Sequence, residues 1–243
     1  MWNSISNVVL CTIAFLWFYL CIQLNRVSWL TPFKKLLTAV FQDRIIINMP
    51  VKPLAKITIV NFNHVHNLDH LIAIAVIPGL NISSVSTLSG TSHFDQKVLS
   101  RVNAIRINAK DVWAEFREKI NLFKGRPGNT FLLTFFEGQA LNHEKATTFA
   151  PNKPKYGAFT MLSHFLPHTA FYDIDLFYTW KGQPLMPHDA SFLWKLLQTD
   201  TKIYLNVKTH IFPQSEPEAY LDHLYEGKRI YLDGLNSKLK NLG

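Results

Sequence analysis

The sequence predicts an α/β fold: a single sandwich domain with a largely parallel sheet flanked by helices, preceded by an N-terminal membrane helix. Three observations predict it. Beyond Pro50, strand-like runs rich in β-branched residues alternate with helix-like runs, the pattern of repeated strand and crossover units. Connections are short and marked by Pro or Gly, as at 125–129 and 150–157, and no internal repeat or low-complexity tract interrupts them. A chain of 243 residues with 48% apolar side chains is enough for one sizeable core and excludes intrinsic disorder. The chain divides into an N-terminal region over 1–45 and one domain over 46–243.

The first element is the run from Val8 to Leu24, seventeen residues in which only Thr12 and Gln23 are clearly polar. At about 1.5 Å per residue this is the lower limit for a transmembrane helix, so it either spans with little tilt or lies partly in one leaflet. The residues before it lack Lys and Arg, and no small-x-small site follows, so it reads as a retained anchor rather than a signal peptide. Both cysteines, Cys11 and Cys21, lie in this run, which leaves the domain without a disulfide framework and suits a reducing cytosolic face. Arg26, Lys34 and Lys35 flank its C-terminal end, and the positive-inside rule then puts the domain on the cytosolic side, with the endoplasmic reticulum as the expected membrane. On that topology the glycosylation acceptor pattern Asn81-Ile82-Ser83 stays unmodified.

Over 30–41, Leu30, Phe33, Leu37, Val40 and Phe41 recur at helical spacing with Lys34 and Lys35 off the stripe. This predicts an amphipathic helix that lies on the membrane surface, packs on the domain, or does both. The formal net charge of +8 calls for an anionic partner. No nucleic-acid module is recognisable and the aromatics are mostly Phe inside apolar runs, so membrane lipid, not nucleic acid, is the expected partner.

Within the domain, strands are predicted near 57–61, 83–87, 103–107, 130–136, 169–177 and 202–208. Helices are predicted near 67–77, 94–101, 111–122, 156–165 and 217–226.

Polar chemistry concentrates in NFNHVHNLDH, 61–70, between the buried strand KITIV and an apolar helix closed by Pro78-Gly79. On one continuous helix, residues five apart are rotated by roughly 140° and share no face. With His64 in the turn and Asp69 in the first helical turn, however, the carboxylate reaches back to the imidazole, making a base with an orienting carboxylate. A bland reading competes: a satisfied polar histidine and an aspartate placed for the helix dipole. So does a metal site built on His64, His66, Asp69 and His70, although Asn67 stands where the zinc-protease spacing requires glutamate, and no metal is expected.

Three further stretches carry candidate binding residues. RINAKD, 106–111, sets Arg106 at a strand end and Lys110 just before a helix, positions where α/β sheets bind ligands, though each also reads as an ordinary surface charge. FLLTFFEGQA, 131–140, is a buried strand that stops at Glu137-Gly138, an acid followed by a residue that lets backbone approach a ligand. PNKPKYGAF sets Lys153 and Lys155 ahead of a helix whose start accepts an anion.

Taken in order, NHVHNLD, RINAKD, FFEGQA, KPKYGAF and TAFYDID resemble the blocks of the glycerolipid acyltransferase family, specifically its acyl-CoA:1-acyl-glycerol-3-phosphate and lysophospholipid acyltransferases. The similarity runs from the N-terminal segment almost to the C-terminus. It implies a catalytic pair at His64 and Asp69, a phosphate-binding arginine at Arg106, and an acceptor-orienting block at Glu137 and Gly138. The third block departs from the family pattern: Phe136 replaces proline, Gln139 replaces threonine, and Ala140 stands where an arginine is common. That leaves Lys153 or Lys155 to take over the phosphate. The implied reaction moves an acyl group from acyl-CoA, a co-substrate, to a lysophospholipid hydroxyl, with no bound cofactor. Backbone amides after Asn63 or around Gly138 are candidates for holding the oxyanion. A metal-dependent hydrolase and a catalytically silent membrane-binding relative are the alternatives.

Overall fold

The computed structural model describes residues 9–10, 12–13, 16, 30–66, 68–79, 82–86, 104–107, 109–138, 140–141, 148–187, 189 and 191–241. The apolar run 8–24, Arg26, Asn81 and the helix predicted at 94–101 lie wholly or mostly outside them. No helix among the described residues is long and apolar enough to cross a membrane.

The elements follow in chain order. Helix α1 (Leu30–Phe41) leads through a short 3-10 turn (Gln42–Arg44) to β1 (Ile45–Ile47), β2 (Ile57–Phe62), α2 (Asp69–Val76), β3 (Ile82–Ser86) and β4 (Ile105–Arg106). Then come α3 (Val112–Gly125), β5 (Thr130–Thr134), α4 (Tyr156–Phe165), β6 (Ala170–Trp180), β7 (Gln183–Pro184), α5 (Phe192–Leu196), β8 (Thr201–Ile211) and α6 (Pro217–Lys240).

One sheet, ordered β1-β8-β6-β2-β5-β3-β4 with β7 beside β6, organises the domain. Its pairings are parallel except those of β6 with β7 and β8. β2 lies between β5 and β6 and is buried along its whole length, as its β-branched composition requires of a strand covered on both faces. Alternation along the strands feeds two cores. Val60, Phe62, Leu133 and Ile174 face α1, α2 and α5, while Ile57, Ile59, Leu132 and Phe171 face α3, α4 and the first half of α6.

The stripe of α1 packs on the domain, one of the arrangements its spacing predicts: Phe33, Leu37, Val40 and Phe41 are buried in the first core. Lys34, off the stripe, donates to the carbonyls of Ile77 and Gly79 and closes the end of α2. α6 runs fourteen residues past its predicted end at 226. Gly227 and Gly234 weaken a helix by roughly 1 kcal/mol each, but Leu221, Tyr225, Lys228, Leu232 and Asn236 continue one buried stripe past them. Lys228 is an ion inside that stripe; its ammonium meets the Asp173 carboxylate at 2.8 Å and locks α6 onto β6.

Candidate active site

β2, β5 and β6 are parallel, so their C-terminal ends meet at one edge, and the candidate residues gather there. After Phe62, Asn63 imitates another strand residue: its Nδ2 donates to the Leu176 carbonyl at 2.9 Å and its Oδ1 accepts the Leu176 N–H at 2.6 Å. The turn leaves the sheet at that point. His64 follows, its ring 4.4 Å from that of Phe135 at the end of β5.

His64 Nδ1 lies 3.2 Å from Asp69 Oδ2. Asp69 opens α2 and is fully buried. Its Oδ2 also accepts the His66 N–H at 2.8 Å, and its Oδ1 accepts the Tyr178 hydroxyl at 2.6 Å. Burial, with the Asp69 carboxylate beside it, raises Tyr178 far above the ordinary phenol value and keeps it a donor. The carboxylate is thus fixed from three sides, and the Nδ1–H tautomer of His64 is the one that satisfies it. Nε2, the other ring nitrogen, has no partner among the described residues.

Glu137 sits behind the same turn, 1% exposed. Its Oε1 accepts the His64 N–H and its Oε2 the Asn152 N–H, both at 2.9 Å. Burial pushes its carboxyl up to about 8, against the opposing pull of these two amides and of Lys228. With Leu141 N–H donating to the His64 carbonyl at 2.8 Å, the turn is held on both sides of the catalytic candidate.

A cavity of about 490 Å³ opens beside His64. Exposed Gly138, Lys155 and Glu218 line it together with Phe116, Phe136 and Met161, all buried. Lys155 N–H donates to the Phe136 carbonyl at 2.7 Å, and its side chain lies across Gly138, which has φ +72. A Cβ there would come within 2.9 Å of Lys155 Cδ.

Of the residues singled out from sequence, His64, Asp69, Glu137, Gly138 and Lys155 are brought together. Arg106 is engaged elsewhere: its guanidinium forks onto Glu115, Nε to Oε1 at 3.1 Å and Nη2 to Oε2 at 2.7 Å, and it is not among the residues lining the cavity. Lys110 is exposed in the turn before α3, and Lys153 lies 6.0 Å over the Tyr156 ring. His66 stacks on Phe192 at 4.6 Å, and no group of three or more potential metal ligands converges among the described residues. Two of the amides considered for an oxyanion are occupied: His64 N–H by Glu137, and Gly138 N–H by the Phe135 carbonyl at 2.8 Å. Tyr178, Asn63 and Asn152 escaped the sequence argument. Asn63 alone left a signal, an amide inside the motif at a strand end.

No family model and no curated sequence matches this chain. Among solved structures, the 1-acyl-sn-glycerophosphate acyltransferase PlsC from Thermotoga maritima is similar, with a TM-score of 0.54 at 13% identity over 99% of this chain and 97% of that one. The alignment covers nearly all of both chains, so this chain shares the fold of that protein, around a sheet whose C-terminal edge gathers the motif residues.

Proposed function

We propose that this chain is an acyltransferase that moves a fatty acyl group from acyl-CoA to the free hydroxyl of a lysophospholipid such as 1-acyl-glycerol-3-phosphate. The observation that carries this reading is the His64–Asp69 pair, with Nε2 unpartnered among the described residues beside a cavity lined by both charged and apolar side chains. Nε2 takes the proton of the acceptor hydroxyl as its oxygen attacks the thioester carbonyl carbon. The C–S bond then breaks, and the CoA thiolate leaves with that proton as the thiol. Such a base is worth about 10²- to 10⁴-fold in rate. Asp69 holds the tautomer and stabilises the imidazolium between the two transfers. No covalent enzyme intermediate is needed.

Lys155 is the cation assigned to the acceptor phosphate, since it lines the cavity with His64. Glu137 acts as a positioning residue: both of its oxygens are occupied by backbone amides, so it shapes the turn rather than touching the acceptor. Phe116, Phe136 and Met161 offer an apolar wall to an acyl chain. The anchor expected at 8–24 would hold this site at the headgroup level where the lysophospholipid resides, on the cytosolic side that supplies acyl-CoA.

The test is purified full-length protein with radiolabelled acyl-CoA and a panel of lysophospholipids. Label in a diacyl product supports the reading. Release of free fatty acid alone, dependent on added zinc, replaces it with a hydrolase.

A further inference from the structure

Lys228 brings a charge into the core where packing alone would place an apolar side chain. It lies in the buried stripe of α6 with its side chain 0% exposed. Its Nζ donates to Asp173 Oδ1 at 2.8 Å and to the Ile174 carbonyl at 3.1 Å, with Asp175 Oδ1 at 3.7 Å. Burial alone would lower the ammonium, but the Asp173 and Asp175 carboxylates outweigh it and raise Lys228 above its ordinary value, so the pair is ionised. Stability does not explain the pair. Apolar side chains of similar volume often hold a fold as well as a buried ion pair, or better.

Hydrogen bonds connect this charge to the His64 turn. Asn61, fully buried and one residue before the end of β2, stands opposite Asp173 in the sheet. Its Nδ2 donates to Asp173 Oδ1 at 2.7 Å, and its Oδ1 accepts the Phe136 N–H at 3.1 Å. An ionised carboxylate only accepts and a backbone N–H only donates, so the two neighbours agree on one orientation of the Asn61 amide while Asp173 keeps its charge. The Thr134 and Tyr225 hydroxyls, each 3.4 Å from the amide, can donate or accept and select neither orientation. Without Lys228 the buried Asp173 carboxyl takes up a proton, gains a donor, and competes with Phe136 for Asn61 Oδ1. Phe136 directly precedes Glu137, whose Oε1 accepts the His64 N–H at 2.9 Å. The ammonium on α6 is thereby linked, bond by bond, to the support of His64.

We propose that Lys228 is a positioning residue for His64, acting through Asp173, Asn61 and the Phe136–Glu137 peptide. Its effect on turnover rests on the acyltransferase reading, whereas its effect on the turn does not. The test uses full-length protein and compares Lys228→Met with the double variant Lys228→Met, Asp173→Val. Asp175 has Lys208 at 2.8 Å as a second partner, so neither variant strands it. The double variant removes both charges, and its thermal unfolding should recover most of what the single variant loses. Turnover should not follow: kcat should stay roughly ten- to a hundredfold below wild type. Amide hydrogen exchange reads the turn itself. In the double variant, segments 62–66 and 134–138 should exchange faster than in wild type relative to β8 and α3. Asp173→Asn, which keeps the shape but offers Asn61 both a donor and an acceptor, should show the same confined change. That pattern supports the proposal even where no acyl transfer is detected, in which case only the acyltransferase reading fails. Wild-type exchange in the two segments, or a rise spread evenly over β8 and α3 as well, overturns it. So does a kcat that returns with stability in the double variant, because Lys228 and Asp173 are then a core ion pair and nothing more.

Discussion

Glu137 holds the His64 turn from behind, its Oε1 accepting the His64 N–H at 2.9 Å while its Oε2 fixes Asn152 at the same distance. Burial raises its carboxyl to about 8 from the ordinary 4.5. A carboxyl raised on folding binds more protons folded than unfolded between those values. Its contribution is therefore complete below about pH 4.5 and is lost as pH rises through about 8. Wild-type protein should lose stability on the order of a few kcal/mol across that window, and Glu137→Gln should lack this part of the slope. Urea denaturation at a series of pH values measures it. Parallel pH profiles for the two proteins would remove Glu137 as the source.

Asp69 is the most constrained member of the pair, and Tyr178 is its least obvious partner. His64→Ala should cost about 10²- to 10⁴-fold in kcat. Tyr178→Phe leaves the geometry but removes a hydrogen bond to a buried carboxylate, so kcat should fall roughly tenfold with little change in KM. His66→Ala and His70→Ala should keep turnover, and chelators should have no effect. Activity abolished by a chelator and restored by zinc would sink the base mechanism.

How much of this was legible in the sequence follows from distance along the chain. His64 and Asp69 meet across five residues, and a strand end, a turn and a helix start are local signals, so their approach could be argued beforehand. Tyr178 reaches Asp69 from 109 residues away, and an inward tyrosine on a strand reads as packing until the register is known. The same holds for Glu137, 73 residues from His64. In the fold, the long strands β2 and β6 announced themselves by β-branched and aromatic runs. β1 and β7, of three and two residues, and the five-residue α5 are too short to show a period.

On the proposed reading the acceptor phosphate passes from Arg106, which is tied to Glu115, to Lys155, which lines the cavity. Arg106 is half exposed, but its partner Glu115 is buried, and each holds the other in its charged form through the forked hydrogen bonds. Arg106→Ala should mainly destabilise, by roughly 1–3 kcal/mol at most given the solvent on one side, and pairing it with Glu115→Gln should recover part of that loss. Lys155→Ala should raise the acceptor KM more than it lowers kcat while leaving stability nearly unchanged. Thermal unfolding and steady-state kinetics on both variants decide it. A selective KM effect at Arg106 with unchanged stability would return the phosphate to it.

Gly138 and Lys155 are coupled by contact, and that coupling can be measured. A side chain at Gly138 must adopt φ +72, at a cost of about 1–2 kcal/mol. Its Cβ would also come within 2.9 Å of Lys155 Cδ and 3.1 Å of Nζ. The lysine stem is flexible, so it yields first and the ammonium swings away from Gly138. Gly138→Ala should then raise the acceptor KM in the wild-type background by about as much as Lys155→Ala does. In the Lys155→Ala background the clash is already gone, and Gly138→Ala should add strain to the unfolding curve but little further to KM. Such non-additivity is the mark of two residues acting through one contact. An equal KM increase in both backgrounds would mean that Gly138 acts through the backbone around Glu137 instead, with Lys155 a bystander.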